Sequence, residues 1–355
     1  MDPVAHTLVG VAMAEAGLKK CSRYATATLL VGANLPDIDA VALLWGSDTA
    51  LYLRRGWTHG VLAMVLLPLL LAGAIWLWHR WRGYREPDTS PLPVGVILAL
   101  SYLAVLSHPA LDWLNTYGVR LLMPFDGTWF YGDTLFIVDP WVWLLAGAGV
   151  VLACSATPTA LAFWGIAGAL ASGLILATEI VPLGVKLLWL SGIGAIVGLR
   201  WWRPSPWISQ TIAQISFAAL VAYIGMAYGM ARVAEQRVAE QDPKPRQVQA
   251  NPMPGLPQSH RQIVVYEDRY RVVMADGQVL NIPREKPNAI VRRAMESEQV
   301  RGFVAWMRFP YWELEETAEG WLVVLKDLRY VIPGQRSMGI GRAEVRVARE
   351  DVPQA

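Results

Sequence analysis

Apolar runs about twenty residues long recur through the first 231 residues, and short alternating runs follow them. A helix needs about 20 apolar residues to cross ~30 Å of hydrocarbon. The runs at 60–79, 93–113, 159–178, 183–199 and 207–230 suit that role, and 140–154 is apolar but short. Together they predict six spans. Those at 159–178 and 183–199 are rich in Gly, Ala and Ser, which let membrane helices approach closely. Ahead of them, 4–18 and 24–35 are apolar but each is well short of a span. They predict a short helical hairpin, re-entrant or packed inside the bundle. A signal peptide fits poorly, because Asp2, His6 and Glu15 stand where a basic start and a clean apolar core belong.

The pattern changes in the last third. Residues 242–257 include prolines 243, 245, 252, 254 and 257, the composition of a stiff linker. Residues 262–266, 270–274 and 278–282 alternate apolar with polar, as half-buried strands do. Asp276-Gly277 supplies a hairpin turn between the last two. Residues 288–298 predict a helix with Asn288 as N-cap, and 300–309, 321–326 and 344–348 predict further strands. The fold class expected is mainly α: a polytopic transmembrane helical bundle with a C-terminal soluble α+β domain. The divisions are 1–231 for the membrane-embedded domain, 232–257 for the linker and 258–355 for the soluble domain.

Composition sharpens this division. Only 17% of residues are charged and 54% are hydrophobic, against roughly 25% charged for soluble domains. The charge is uneven: 24 of the first 231 residues carry it, and 36 of the remaining 124. A net charge of +2 gives no basic field for nucleic acid. Two cysteines, Cys21 and Cys154, cannot build a disulfide framework or a thiolate metal cluster. Several of the 17 tryptophans end apolar runs, as interfacial anchors do.

Basic residues in short loops face the cytoplasm. Lys19, Lys20 and Arg23 form one such cluster, Arg80, Arg82 and Arg85 a second, and Arg200 and Arg203 a third. One topology puts all three inside and sends 115–139 and the tail outside, with Arg54 and Arg55 the exceptions. His6, 34–39, His59, His108 and Asp112 then share the outer end.

Ionisable groups within membrane segments are costly and point to function. Four stretches concentrate them: His6-Thr7; Asn34 to Asp39, where Pro36 interrupts the helix beside Asp37 and Asp39; Arg55 to His59; and His108 to Thr116. His108 and Asp112, at i and i+4, share one helical face and can chelate one ion. Each has an ordinary alternative. His6 can be a helix-start polar residue, Asp37 and Asp39 can cap a helix, His59 can be interfacial, and His108–Asp112 can be a hydrogen-bonded pair. Three His and three Asp at one end of a charge-poor bundle favour a site for one or two divalent ions. Nitrogen and oxygen ligands without thiolate suit Zn, Mn, Fe or Mg. His79 falls at the other end of its span and snorkels. Glu179 and Lys186 flank a loop, facing water or each other.

A divalent ion in such a site activates water and polarises a carbonyl or phosphoryl oxygen. Metal-assisted hydrolysis is therefore the expected class, with Asp39 or Asp139 as proton acceptor and His6 and Asp39 orienting the water or a second ion. The zinc-protease H-E-x-x-H, the P-loop and G-x-S-x-G are all absent. The H-x-x-x-D of His108–Asp112 is also similar to the last motif of lipid phosphatases that work through a phospho-His. Those need a Ser-Gly-His element and a basic residue, where this chain has Trp57-Thr58-His59-Gly60 and no Arg in the span before His108.

The order His6-Thr7, Asn34/Pro36/Asp37/Asp39, Arg55-Gly56/Thr58-His59, His108/Asp112/Asn115-Thr116/Gly118, Pro124-Phe125 resembles the membrane-bound metal-dependent hydrolase family. This is the LexA-regulated, YdjM-like inner-membrane type of bacteria. The likeness covers roughly 1–140, and Asn251 to Pro254, Arg308 to Pro310 and Asp327 to Tyr330 resemble the tail of longer members. It implies a multi-pass inner-membrane protein with a metal-dependent hydrolase site. The metal-ligand role falls to His6, Asp37, Asp39, His59, His108 and Asp112, with Asn34, Thr58 and Asn115 supporting them. A looser likeness to zinc-dependent phospholipase C turns the expectation towards phosphoesters.

The combined expectation is zinc first, with Mn, Mg or Fe as alternatives. The substrate expected is an ester, foremost a phosphoester, of a lipid or envelope precursor reached from the bilayer. The site and tail would face the periplasm, and 258–355 would act as a lid or bind a protein partner. A non-catalytic membrane scaffold or stress-response protein with a structural metal is the alternative from another class. A transporter would show inverted repeats, and none is evident.

Overall fold

A computed structural model describes residues 1–85, 91–202, 205–241, 243–334 and 340–351. Arg203 and residue 242, the first of the proline-rich stretch, lie outside the described residues, as does the side chain of Arg85. Two compact units emerge. One comprises residues 1–38, 57–231 and 252–259, and the other 39–56, 232–251 and 260–355.

The first unit is helical. α1 (Pro3–Glu15) starts with Asp2 as N-cap, its carboxylate accepting from Ala5 N at 3.0 Å, and with Pro3 in the first turn. Nearly every residue of α1 after its first turn is buried. A helix apolar all round belongs inside a bundle, which agrees with the packed hairpin read from the sequence. α2 (Ala25–Gly32) lies against it. A Cβ on Gly10 would stand 2.7 Å from Leu29 O, so only glycine permits this approach. α4 (Val61–Arg85), α5 (Val94–Trp113), α6 (Pro140–Cys154), α7 (Pro158–Ala177), α8 (Leu183–Trp202) and α9 (Pro206–Ala239) follow, after α3 (Ser47–Leu53) of the second unit. The core joins Ala5, Val9 and Ala12 of α1 to Leu29, Ala104 and Ala146.

Six helices are long and apolar enough to cross a membrane, as expected in number but not in membership. Pro140–Cys154, counted among the spans above, is too short at 15 residues, about 22 Å of helix. Ala25–Trp45 joins the set, because Pro36 does not end the helical path: a 3-10 helix, Leu35–Trp45, continues beyond α2.

Two antiparallel sheets follow α9 in the chain. β1 (Gln247–Met253), β2 (Leu256–Val265), β3 (Arg269–Val273) and β4 (Val279–Pro283) form one, in that order. Tyr270 pairs with Ile282, and the intervening turn uses Gly277 at φ 88°. β5 (Pro310–Thr317), β6 (Gly320–Asp327) and β7 (Arg342–Ala348) form the other, with Val323 opposite Val345. α10 (Ala289–Met295) is capped by Asn288, as expected. Two expectations need correction. The segment 300–309 forms no strand over its length. It contains α11 (Arg301–Trp306), and the buried Val300 just before it, Phe303 and Trp306 recur every third residue. The segment 232–257 is not linker throughout either, since α9 runs on to Ala239 and β1 occupies 247–253.

Candidate metal centre

Four elements of the first unit deliver the buried polar groups. α1 presents His6, the end of α2 leads to Asp37, the start of α4 follows His59, and α5 carries His108 and Asp112. His6, His59, His108 and Asp112 are wholly buried. Asp37 keeps 13% side-chain exposure and is the group's outermost member.

Their donor atoms converge. His6 Nε2 lies 3.2 Å from Asp112 Oδ1, and His59 Nε2 lies 3.2 Å from Asp112 Oδ2. His108 Nε2 is 3.1 Å from His59 Nε2 and 3.7 Å from both Asp37 Oδ1 and Asp112 Oδ2. The His6 and His108 rings stack with centroids 3.7 Å apart. Two sets meet the proximity expected of metal ligands, His6/His108/Asp112 and Asp37/His59/His108. At tetrahedral metal–ligand distances of about 2.0–2.1 Å, neighbouring donors stand roughly 3.3 Å apart, the spacing seen here.

Hydrogen bonds around the group orient it. His108 Nδ1 is 2.7 Å from Ala33 O. A carbonyl only accepts, so Nδ1 carries the proton and Nε2 turns its lone pair inward. His59 Nδ1 meets Thr58 Oγ1 at 2.9 Å. Three imidazole nitrogens and a carboxylate are the donor chemistry of a cation site. His6 Nδ1, which does not face Asp112, is buried without a hydrogen-bond partner, and the Met1 amine ion-pairs with Asp112.

The remaining residues singled out in the sequence have other places. Among the described residues, Asp39 belongs to neither ligand set. Its carboxylate accepts from Arg55 N at 2.9 Å and lies 3.5 Å from Arg54 Nε, and Arg55 adopts φ 53° there. Asp139 likewise belongs to neither set and is an N-cap. Oδ1 accepts from Trp141 N and Val142 N, and Oδ2 accepts from the Tyr223 hydroxyl at 2.8 Å. Burial pushes its carboxyl up to about 6, against the lowering effect of these hydrogen bonds. Asn34 ties α1 to α2, accepting from Thr7 Oγ1 at 3.1 Å and donating to Leu30 O. Asn115 closes the turn after α5 by accepting from Tyr117 N at 2.8 Å. The Ala33 carbonyl and the Met1 amine were not foreseen. Backbone groups leave no mark in residue type, and only the neighbouring Asn34-x-Pro36 break hints at an exposed carbonyl.

Six apolar helices and a buried His/Asp cluster define a multi-pass membrane protein with a polar centre. The sequence profile of the YdjM inner membrane protein family matches residues 1–182, and the chain belongs to that family. It is also similar to a Bacillus subtilis (strain 168) protein named "Uncharacterized protein YfhP", with 25% identity over 165 residues. That stretch is 43% of this chain and 46% of the relative, so the chain spans less than half of the relative's length. No solved structure matches the chain.

Proposed function

We propose that this chain is a metal-dependent hydrolase of the inner membrane, acting on an ester, foremost a phosphoester, of a lipid or envelope substrate. The observation that carries the reading is the convergence of three imidazole Nε2 atoms on the Asp112 carboxylate, inside a unit otherwise poor in charge. His6, His59, His108 and Asp112 would hold a divalent ion, zinc in the first instance, and Asp37 a second ion or the attacking water. When bound, such an ion supplies a water of lowered pKa and polarises the phosphoryl oxygen.

The protein's own groups do the rest. Ala33 O fixes His108, Thr58 orients His59, and the buried walls exclude bulk water. Asp37, the most exposed member, would accept the proton of the attacking water. A lipid headgroup reaches such a site by lateral diffusion. In this reading the basic residues Lys19, Lys20, Arg80 and Arg200 face the cytoplasm, the site faces the periplasm, and residues 258–355 engage a protein partner.

Metal analysis of the detergent-purified chain tests the reading. Wild type carries one or two equivalents of metal, and His108→Ala with Asp112→Ala loses them. Equal, negligible metal in both would overturn it. A panel of phospholipid and lipid-pyrophosphate substrates, with and without chelator, tests the chemistry. Hydrolysis that survives chelation would favour the phospho-His route, and bound metal without hydrolysis would favour a structural role.

A further inference from the structure

We propose that the first unit also binds one anionic phospholipid at the end of its helices away from the His/Asp cluster. The acyl chain lies between α6, α7 and α8, and the phosphate lies on Lys20 and Arg200. α1 leads from His6 at one end to Glu15 at the other, and Glu15 lines a polar cavity of about 700 Å³ with Lys19, Lys20, Arg200, Ser209 and Gln210. Beside it runs an apolar groove of about 810 Å³, walled by Val151, Leu161, Trp164, Ile193, Ile196 and Val197. Both lie within the ~300–1,000 Å³ typical of small-molecule sites. Arg200 lines both, so a cation stands where the apolar groove meets the polar cavity. The groove exists because α7 presents Gly165 and Gly168 to it, and a Cβ at either would meet nothing within 4 Å.

Charge selects the occupant. Any apolar groove in a bilayer is wetted by lipid tails, so the headgroup end decides specificity. Lys19 is paired with Glu15. Arg200 is anchored by Ser155, Nε to Oγ at 2.7 Å and Nη2 to the carbonyl at 2.6 Å, both neutral acceptors. Neither Arg200 nor the exposed Lys20 has a carboxylate partner among the described residues. The cavity therefore holds an excess of positive charge, which an anionic phosphate complements and a zwitterionic headgroup matches less well. Trp201 and Trp207, highly exposed on the adjoining helix ends, set this cavity at headgroup depth.

The test is lipid retention by the full chain in detergent, offered equal phosphatidylglycerol and phosphatidylcholine and read by native mass spectrometry. Wild type retains one phosphatidylglycerol with at least about tenfold preference, given two uncompensated cations. Lys20→Gln with Arg200→Gln retains both lipids alike. Gly168→Leu fills the groove and loses retention about tenfold at unchanged thermal stability. A wild type without headgroup preference overturns the proposal, as does Gly168→Leu retaining lipid like wild type. If Gly168→Leu unfolds, Lys20→Gln alone decides, because an undiminished preference there overturns the proposal too. None of these outcomes depends on metal.

Discussion

His59 and His108 face each other through their Nε2 atoms at 3.1 Å. The second ring is fixed from behind by Ala33 O at 2.7 Å. With Nδ1 of His108 committed as donor, its Nε2 lone pair points at His59. The pair is compatible with a proton between the rings only if His59 carries it on Nε2 and accepts from Thr58 at Nδ1. With a cation between them, His59 instead donates from Nδ1 to Thr58 and both lone pairs turn inward. Thr58, able to donate or accept, serves either state.

Thr58→Val keeps the volume and removes the hydroxyl that holds His59 Nδ1 at 2.9 Å. Loss of such an outer partner typically costs 10–100-fold in metal affinity. Chelator competition on the purified chain is expected to show a fall of about that size, with the thermal midpoint little changed. Unchanged affinity would show that Thr58 does not orient the ligand.

His6, His59, His108, Asp37 and Asp112 were legible because charged or basic groups are conspicuous in apolar surroundings, and the structure brings all five together. Asp39, two residues beyond Asp37, has the same residue type, and only the backbone around Arg55 shows that its carboxylate is engaged there. Asp139 looked like a proton acceptor but caps α6, since Asp-Pro at a helix start serves both purposes equally well. The 300–309 segment reads as a strand from the sequence, yet it holds α11. What decides it is remote: Asp48 accepts from Gly302 N and Phe303 N, both at 2.9 Å, capping α11 from more than 250 residues away. No local pattern encodes a cap at that separation.

Asp139 gives the unit a pH dependence. Its carboxyl is raised by burial from 3.8 to about 6, so the folded state holds the proton more tightly than the unfolded chain. The resulting stability is fully present below about 3.8 and is lost as pH rises through about 6, amounting to about 3 kcal/mol. Asp139→Asn stays neutral and keeps an oxygen for Trp141 N and Val142 N. Thermal unfolding in detergent from pH 4 to 7 is expected to show wild type losing stability relative to the variant as pH rises. A constant difference across that range would contradict the burial argument.

Glycines in the helices divide into two kinds. A Cβ at Gly10 would stand 2.7 Å from Leu29 O and 2.9 Å from Ala33 Cβ, whereas one at Gly173 would meet nothing within 4 Å. Gly10→Ala is expected to destabilise by about 1–3 kcal/mol through overpacking. It should also weaken metal binding, because it presses on the turn that supplies Ala33 O. Gly173→Ala is expected to be neutral or stabilising by up to about 1 kcal/mol, since alanine favours a helix interior. Opposite signs of the thermal shift are the check, and equal shifts would mean that the α1–α2 approach is not tight.

In the second unit, Asp327 and Arg329 form an ion pair with both side chains wholly buried. Asp327 Oδ2 accepts from Arg329 Nη2 at 2.8 Å and from Arg308 N at 2.5 Å, while Oδ1 accepts from Arg329 N at 2.9 Å. The guanidinium also lies over the Trp306 ring, 4.5 Å from its centroid, and donates to Trp306 O. The pair thus joins the end of α11 to the end of β6, and neither charge can reach water. Removing one partner strands the other, at a cost of about 3–5 kcal/mol. Asp327→Ala is expected to lower the unfolding transition of this unit by that amount, followed by tryptophan fluorescence of the full chain in urea. Arg329→Lys keeps the charge but loses the planar fork and the stacking on Trp306, so it should recover only part of the loss. A variant pair that unfolds like wild type would show that the buried charges are not what holds α11 to the sheet.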